Sequence, residues 1–257
     1  MYSIYILTSP DLSAYNKYKL LSISKKYKDC NVKVVNMNQA FTDSYLKENV
    51  KTPTYYRLSA QTIFPKIDKM IYLDGDTSVY DDLSPLYNMN INGLYYRGLL
   101  DNNNEIDSLF GKKTKVYICA GIMLMNLKYL RQDNIQREYE NFILAHKSIN
   151  YCDQTTLNYV CSGKLDGIPP KYGLYAYPDK NSVKQFYNYF PKDYKKDSYE
   201  DLVDAHYNPI IPHFAFFKPW KWPPKDKTLK SLQPNESQYH RWWQFAKLSD
   251  YYDEIYG

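Results

Sequence analysis

The chain has 257 residues and a formal net charge of +5, with 44% hydrophobic and 24% charged residues. These totals suit an ordinary globular protein with a buried core and exclude a disordered or fibrous chain. The basic residues are scattered apart from short runs such as Lys112-Lys113 and Lys195-Lys196. They make no concentrated nucleic-acid footprint; a small polyanion, an anionic membrane surface or a plain solvated surface all fit the mild excess. Tyr is abundant at 30 copies, which biased composition explains more simply than sugar binding does.

Taken in chain order, Tyr2 to Thr8 is a run of β-formers ended by Ser9-Pro10 and predicts a buried strand. Asp11 is the expected cap of a helix over Leu12 to Lys28, and Asn31 to Met37 is the next strand. Strand, helix, strand argues for a parallel sheet with crossover helices, hence the α/β class. Tyr55 to Phe64 predicts a helix stopped by Pro65, and Lys69 to Leu73 a strand that runs into Asp74-Gly75-Asp76. Gly93 to Asp101 and Val116 to Met125 are further strands, while Ile135 to His146 and Asp153 to Cys161 are helices. Ser162 to Tyr189, with several Pro and Gly, reads as loop, Ser198 to His206 as a short helix, and Ser237 to Tyr252 as an amphipathic tail helix. With no repeat, low-complexity tract or linker, one domain over 1–257 with a helical tail at about 235–252 is expected.

Four cysteines, Cys30, Cys119, Cys152 and Cys161, show no C-x-x-C spacing. No leader or apolar span of bilayer length is visible, so the expected compartment is the cytosol. Trp242, Trp243 and Phe245 with Arg241 and Lys247 on the tail helix suit a membrane interface or, more commonly, a packing face.

The chemistry centres on Asp74 and Asp76. Ligands of open α/β sheets bind beyond the carboxyl ends of strands, and these two carboxylates stand at such an end with Gly75 between them to ease a bend. Hard divalent ions take oxygen ligands and keep positions open for phosphates. The triplet alone fits a turn equally well.

Four blocks, in order, carry a resemblance. They are YYRLSAQTIFPKIDKMIYLDGDTSVYDDLSPLY around Asp74; Cys119-Ala120-Gly121-Ile122-Met123-Leu124-Met125-Asn126-Leu127; Cys152-Asp153-Gln154-Thr155-Thr156-Leu157-Asn158; and Ile211-Pro212-His213-Phe214-Ala215-Phe216-Phe217-Lys218-Pro219-Trp220. Together they resemble the family-eight glycosyltransferases. The resemblance implies the GT-A fold, a mostly parallel sheet with flanking helices, and retaining transfer of a hexose from a nucleotide sugar such as a UDP-sugar to a glycan, lipid-linked or protein acceptor. It implies Mn²⁺ or Mg²⁺ held by Asp74, Asp76 and His213. Lys218 matches a phosphate-binding lysine, and Arg57 a basic residue near the nucleotide that could equally pair with a carboxylate. Asp101 matches a sugar-binding Asp or stands as a turn residue. Gly75, Cys119 and Ala120 fall at donor-contact positions. Asp153 and Gln154 match the pair beside the reacting carbon, or a helix cap and first turn.

The sequence departs from that pattern in three places. It opens at what matches the family's second strand, Cys119 replaces an Asn, and Phe216 stands where a Gly near the phosphates is common. Two rival readings go with these: a sugar-nucleotide or glycan-binding derivative without catalysis, and a haloacid-dehalogenase-type phosphatase, whose D-x-D-G-T motif IYLDGDTSVYDD imitates loosely.

Overall fold

The computed structural model describes residues 1–37, 52–101, 116–146, 152–189, 197–216, 218–221 and 236–256. Lys112-Lys113, Lys195-Lys196 and Phe217 lie outside the described residues, as does the start of the expected tail at 235. In chain order the elements are β1 (Tyr2–Thr8), α1 (Ala14–Lys26), β2 (Cys30–Asn36), a 3-10 stretch (Thr52–Ser59) leading into α2 (Ala60–Ile63), β3 (Lys69–Leu73), α3 (Ser84–Tyr87), β4 (Tyr96–Leu100), β5 (Ile118–Asn126), α4 (Leu127–Gln132), α5 (Ile135–Ala145), α6 (Cys152–Val160), β6 (Leu165–Gly167), α7 (Lys180–Tyr189), α8 (Tyr199–Tyr207), α9 (Glu236–Ala246) and α10 (Tyr252–Tyr256). They pack as two compact units, Met1–Ile67 with Leu130–Val160, and Asp68–Tyr129 with Cys161–Gly257.

In the first unit β1 and β2 pair in parallel from Tyr2 opposite Cys30 to Thr8 opposite Asn36, joined through α1. The helix cap is Ser13, whose hydroxyl accepts from Asn16 N at 3.2 Å, rather than Asp11. Ser13 sits where its oxygen meets an orphan amide of the first turn, and Asp11 stands two residues too early. The helix expected over Tyr55 to Phe64 is mostly 3-10, with a single α turn. Its end is held by the Arg131 guanidinium, which donates to the carbonyls of Phe64 at 3.1 Å and Ile67 at 2.8 Å. Helices α5 and α6 meet through the rings of Phe142 and Tyr159, 4.6 Å apart.

The second unit is built on a four-stranded sheet in the order β3-β5-β4-β6. The expectation of a mostly parallel sheet is corrected here to a mixed one. β5 runs antiparallel to both β3 and β4, and β4 is parallel to β6. Parallel pairing needs a long crossover, usually helical, and α1 provides one for β1 and β2; β3 and β4 run in the same direction, with β5 inserted antiparallel between them. All nine residues of β5 are buried, which explains its unbroken apolar run. Alternation sends its side chains to two cores. Ile122 packs with Leu86, Ile168, Tyr172 and Ile211, while Cys119 packs with Leu99, Leu174, Tyr175 and the α7 and α8 residues Val183, Phe186, Leu202 and Ala205.

Two segments of the second unit read differently from the sequence. Ser162 to Tyr189 contains β6 and the ten-residue α7 besides loop; Asp179 caps that helix by accepting from Ser182 N at 2.8 Å. The tail helix α9 ends at Ala246. Its aromatic residues lie against the unit: Trp243 is buried, Trp242 is 5.4 Å from the Trp220 ring, Phe245 stacks on Tyr80 at 5.2 Å, and the Arg241 guanidinium lies 4.0 Å over the same Tyr80 ring.

Candidate metal centre

Asp74 and Asp76 follow directly on β3. The Asp74 amide donates to Gly121 O on neighbouring β5 at 2.7 Å, and its carbonyl accepts from the Thr77 amide and hydroxyl at 3.2 and 2.8 Å, closing a tight turn. The turn is anchored below by buried Leu86 of the D-L-S-P-L stretch, where Asp82 Oδ1 accepts from Ser84 N and Oγ. One oxygen of Asp74 accepts from the Tyr72 hydroxyl at 2.8 Å.

His213 reaches this corner because its apolar segment threads between two extended stretches. On one side Tyr80 N donates to Ile210 O and Phe214 N to Asp76 O, both at 2.9 Å. On the other, His213 N donates to Leu174 O at 3.2 Å and Ala176 N to His213 O at 2.9 Å. Thr77 and Tyr175 are its bridge partners. The imidazole Nε2 lies 3.2 Å from Asp76 Oδ1 and 4.0 Å from Asp74 Oδ2, while Nδ1 meets the Cys119 thiol at 3.9 Å.

Close approach of these groups depends on Gly121. A Cβ there would stand 2.4 Å from His213 Cε1, closer than side chains pack, and 3.0 Å from Asp74 Oδ2, a tight contact. A Cβ on Gly75, expected to ease the bend, would meet nothing within 4 Å, so the steric need falls on β5. The sequence showed Gly121 only as a letter within a block, since nothing along the chain reveals which side chains cross a strand.

The electrostatics are tightly coupled. Burial opposes ionisation of Asp76, yet His213 and Lys218 together hold its carboxyl well below the usual carboxylate range. Burial likewise opposes a charged His213, but Asp76 and Cys119 outweigh it and raise the imidazole to about 9. Lys218 pairs with Asp76 Oδ2 and also donates to the carbonyls of Phe214 at 2.7 Å and Ala215 at 3.1 Å. Asp76 Oδ1 is buried and makes no hydrogen bond, its contact with Nε2 notwithstanding. Asp74, Asp76 and His213 offer ligand atoms within 4.8 Å of one another, the one such cluster among the described residues. Two carboxylate oxygens and one imidazole suit a hard or borderline divalent ion. Asp76 Oδ1, buried beside Nε2 without a well-formed hydrogen bond, is an atom that a bound cation would satisfy, so the residues fit a metal.

The remaining site residues fall into two groups. In the second unit, Asp101 Oδ2 accepts from the Tyr175 hydroxyl at 2.9 Å, Tyr175 lies 5.3 Å ring to ring from His213, and Cys119 and Ala120 are buried on β5. Tyr175, which no motif signalled, thus links Asp101 to His213. In the first unit, Arg57 Nε pairs with Asp153 Oδ2 at 3.0 Å, both side chains about a tenth exposed. This is the carboxylate pairing that the sequence left open for Arg57. Gln154 is half-buried, and its carbonyl accepts from Asn158 Nδ2 at 2.8 Å.

A family model described as glycosyl transferase family 8 matches residues 2–222. The chain belongs to this family. Among curated relatives of the family 8 chain, a putative glycosyltransferase of Haemophilus influenzae is 29% identical over 142 residues, covering 53% of this chain and 43% of the relative. General stress protein A of Bacillus subtilis is 25% identical over 136 residues, covering 50% and 48%. The chain therefore spans less than half the length of these relatives. Among solved structures, the galactosyltransferase LgtC in complex with donor and acceptor sugar analogs superposes with a TM-score of 0.71 at 18% identity, over 97% of this chain and 96% of that one. The bifunctional glycosyltransferase WbbM in its apo form gives 0.78 at 17%, over 99% and 51%. These likenesses show the GT-A fold. Family membership sets the phosphatase reading aside.

Proposed function

We propose that this family 8 chain is a retaining hexosyltransferase that moves a hexose from a nucleotide sugar, with UDP-hexose the first candidate, to a glycan, lipid-linked or protein acceptor. Mn²⁺ or Mg²⁺ would be held by Asp74, Asp76 and His213, and would supply charge neutralisation to the leaving diphosphate. The observation that carries this reading is the convergence of Asp74, Asp76 and His213, whose ligand atoms lie within 4.8 Å of one another. Lys218, already at Asp76, is the cation nearest to hand for a donor phosphate, and a fixed positive charge there favours bond cleavage as negative charge develops.

In the same reading Asp153 accepts from donor-sugar hydroxyls, its carboxylate aimed by Arg57. Gln154 stands beside the reacting carbon. An amide is a poor nucleophile, so the proposal has the acceptor hydroxyl enter on the leaving-group face without a covalent glycosyl-enzyme. Asp101, Gly75, Cys119 and Ala120 complete the donor contacts. The compartment we favour is the cytosol, where the free thiols Cys30, Cys119 and Cys161 are at home. No helix among the described residues is long and apolar enough to cross a membrane. A peripheral membrane contact through α9 is the weaker alternative, because its aromatic residues are engaged with Trp220 and Tyr80; equal liposome flotation of intact and tail-deleted chain removes it.

The test is a thermal-shift and calorimetric titration of UDP, GDP and UDP-hexoses with and without Mn²⁺, followed by donor hydrolysis. Ligand binding to the folded state raises its apparent stability. Mn²⁺-dependent binding of UDP is expected, and its absence removes the proposal. Binding without hydrolysis or transfer identifies the non-catalytic derivative instead. Asp153→Asn is expected to keep Mn²⁺ affinity and lose turnover.

A further inference from the structure

We infer that Phe216 and Tyr177 form the wall of an acceptor subsite that takes a pyranoside, an assignment that rests on the transferase reading above. Phe216 is 63% exposed. A lone exposed apolar residue is ordinary, but this ring belongs to a ladder of rings that starts at the candidate metal ligands. The His213 imidazole lies 5.3 Å from the Tyr175 ring, Tyr175 lies 5.1 Å from Phe216, and Phe216 stacks on Tyr177 at 6.2 Å with an interplanar angle of 27°. Phe186 buttresses both tyrosines at 6.0 and 5.6 Å. The outermost ring is thus braced from within and open to solvent outside, so an occupant meets a surface already ordered for it.

The polar groups of the ladder decide what that occupant is. Tyr175 donates its hydroxyl to the Asp101 carboxylate at 2.9 Å, so a hydroxyl and a carboxylate stand one ring in from Phe216. A flat apolar face with a hydroxyl–carboxylate pair on the adjoining ring matches a pyranose, which presents C–H groups on one face and hydroxyls around its rim. An alkyl chain would meet a carboxylate and a hydroxyl where it wants continuous apolar surface. Where the family pattern commonly places a Gly near the phosphates, this chain places a Phe whose ring lies against Tyr175 and Tyr177. That difference makes Phe216 a candidate for setting acceptor choice in this chain.

The experiment is saturation-transfer NMR on the full chain with Mn²⁺, with and without UDP, using methyl β-galactopyranoside, methyl α- and β-glucopyranoside, and 1-octanol as the alkyl probe. Transfer to at least one pyranoside is expected. Phe216→Ala should weaken it about tenfold, equal to about 1.4 kcal/mol, and Phe216→Trp should restore it. Thermal melting of each variant confirms that the surface change leaves the fold intact. The assignment is overturned if none of the pyranosides binds, if octanol binds in their place, or if Phe216→Ala leaves pyranoside binding unchanged. UDP binding by the unaltered chain is read separately, so failure of the donor reading is distinguishable from failure of the acceptor wall.

Discussion

Asp76 and Asp153 are both shielded carboxylates facing a cation, but Asp153 is braced by the Arg57 strut whereas Asp76 meets a lysine and an imidazole. Asp153 meets Arg57 in a close ion pair within the first unit. That pairing fixes the side chain and makes Arg57 costly to remove. Asp76, in the second unit, gives one oxygen to Lys218 and sets the other, buried, 3.2 Å from the His213 Nε2. Sequence alone offers the two as equivalent acidic residues at the ends of motifs; their partners tell them apart.

The comparison breaks most visibly at Asp76. Asp76→Asn removes a charged ligand and should weaken Mn²⁺ binding by more than about 100-fold in calorimetry, exceeding the effect usual for residues that merely support a ligand. An unchanged affinity would mean that the metal assignment is wrong. Arg57→Met should act on stability instead. Leaving the shielded Asp153 carboxylate without its guanidinium costs about 3 kcal/mol, read as a lower melting temperature and denaturation midpoint. If the variant melts with the wild type, the pair is not the strut described.

Gly121→Ala changes no charge and tests geometry alone. Its methyl group would press on the imidazole and should cost about 1–3 kcal/mol, divided between stability and roughly tenfold weaker Mn²⁺ binding. Retained Mn²⁺ affinity together with an unchanged melting temperature would show that the ligands have room to spare.

The last comparison concerns pH. In the metal-free chain the His213 pKa is raised from 6.5 to about 9. Its contribution to stability is therefore fully present below about pH 6.5 and lost as pH rises through about 9. A coordinating imidazole must be neutral, so metal binding displaces that proton and strengthens with pH over the same interval, by at most about tenfold per unit. The difference in melting temperature between Mn²⁺-loaded and metal-free chain should therefore widen from pH 6.5 to 9. A flat difference would show that His213 does not ligate.

How much of this the sequence revealed follows from the range of the forces involved. Strands β1 and β3 have the bounds that their apolar runs predict, because a local pattern terminated by Pro or by polar residues fixes them. α8 was similarly readable, its start marked by the reciprocal Ser198 and Asp201 hydrogen bonds of a capping box. α7 is hard to read because only Val183 and Phe186 of it are fully buried and the surrounding Pro and Gly suggest loop. The Asp74, Asp76 and His213 set came from motif resemblance; no local rule brings residues so far apart along the chain to one corner. Gly121 and Tyr175 escaped altogether, since the importance of each lies wholly in what crosses it in space.

One consequence of the Lys218 contact reaches beyond geometry. With His213 protonated, imidazolium and ammonium offset the two carboxylates, so the metal-free corner is close to electroneutral at physiological pH. A chelated sample should accordingly stay folded, with no cluster of uncompensated anions to drive it apart. Admitting a divalent ion and expelling the imidazole's proton tips the balance to a surplus of one positive charge. In the proposed reading, affinity for a polyphosphate would rise with the arrival of the cation, so the corner's charge ties donor binding to metal binding.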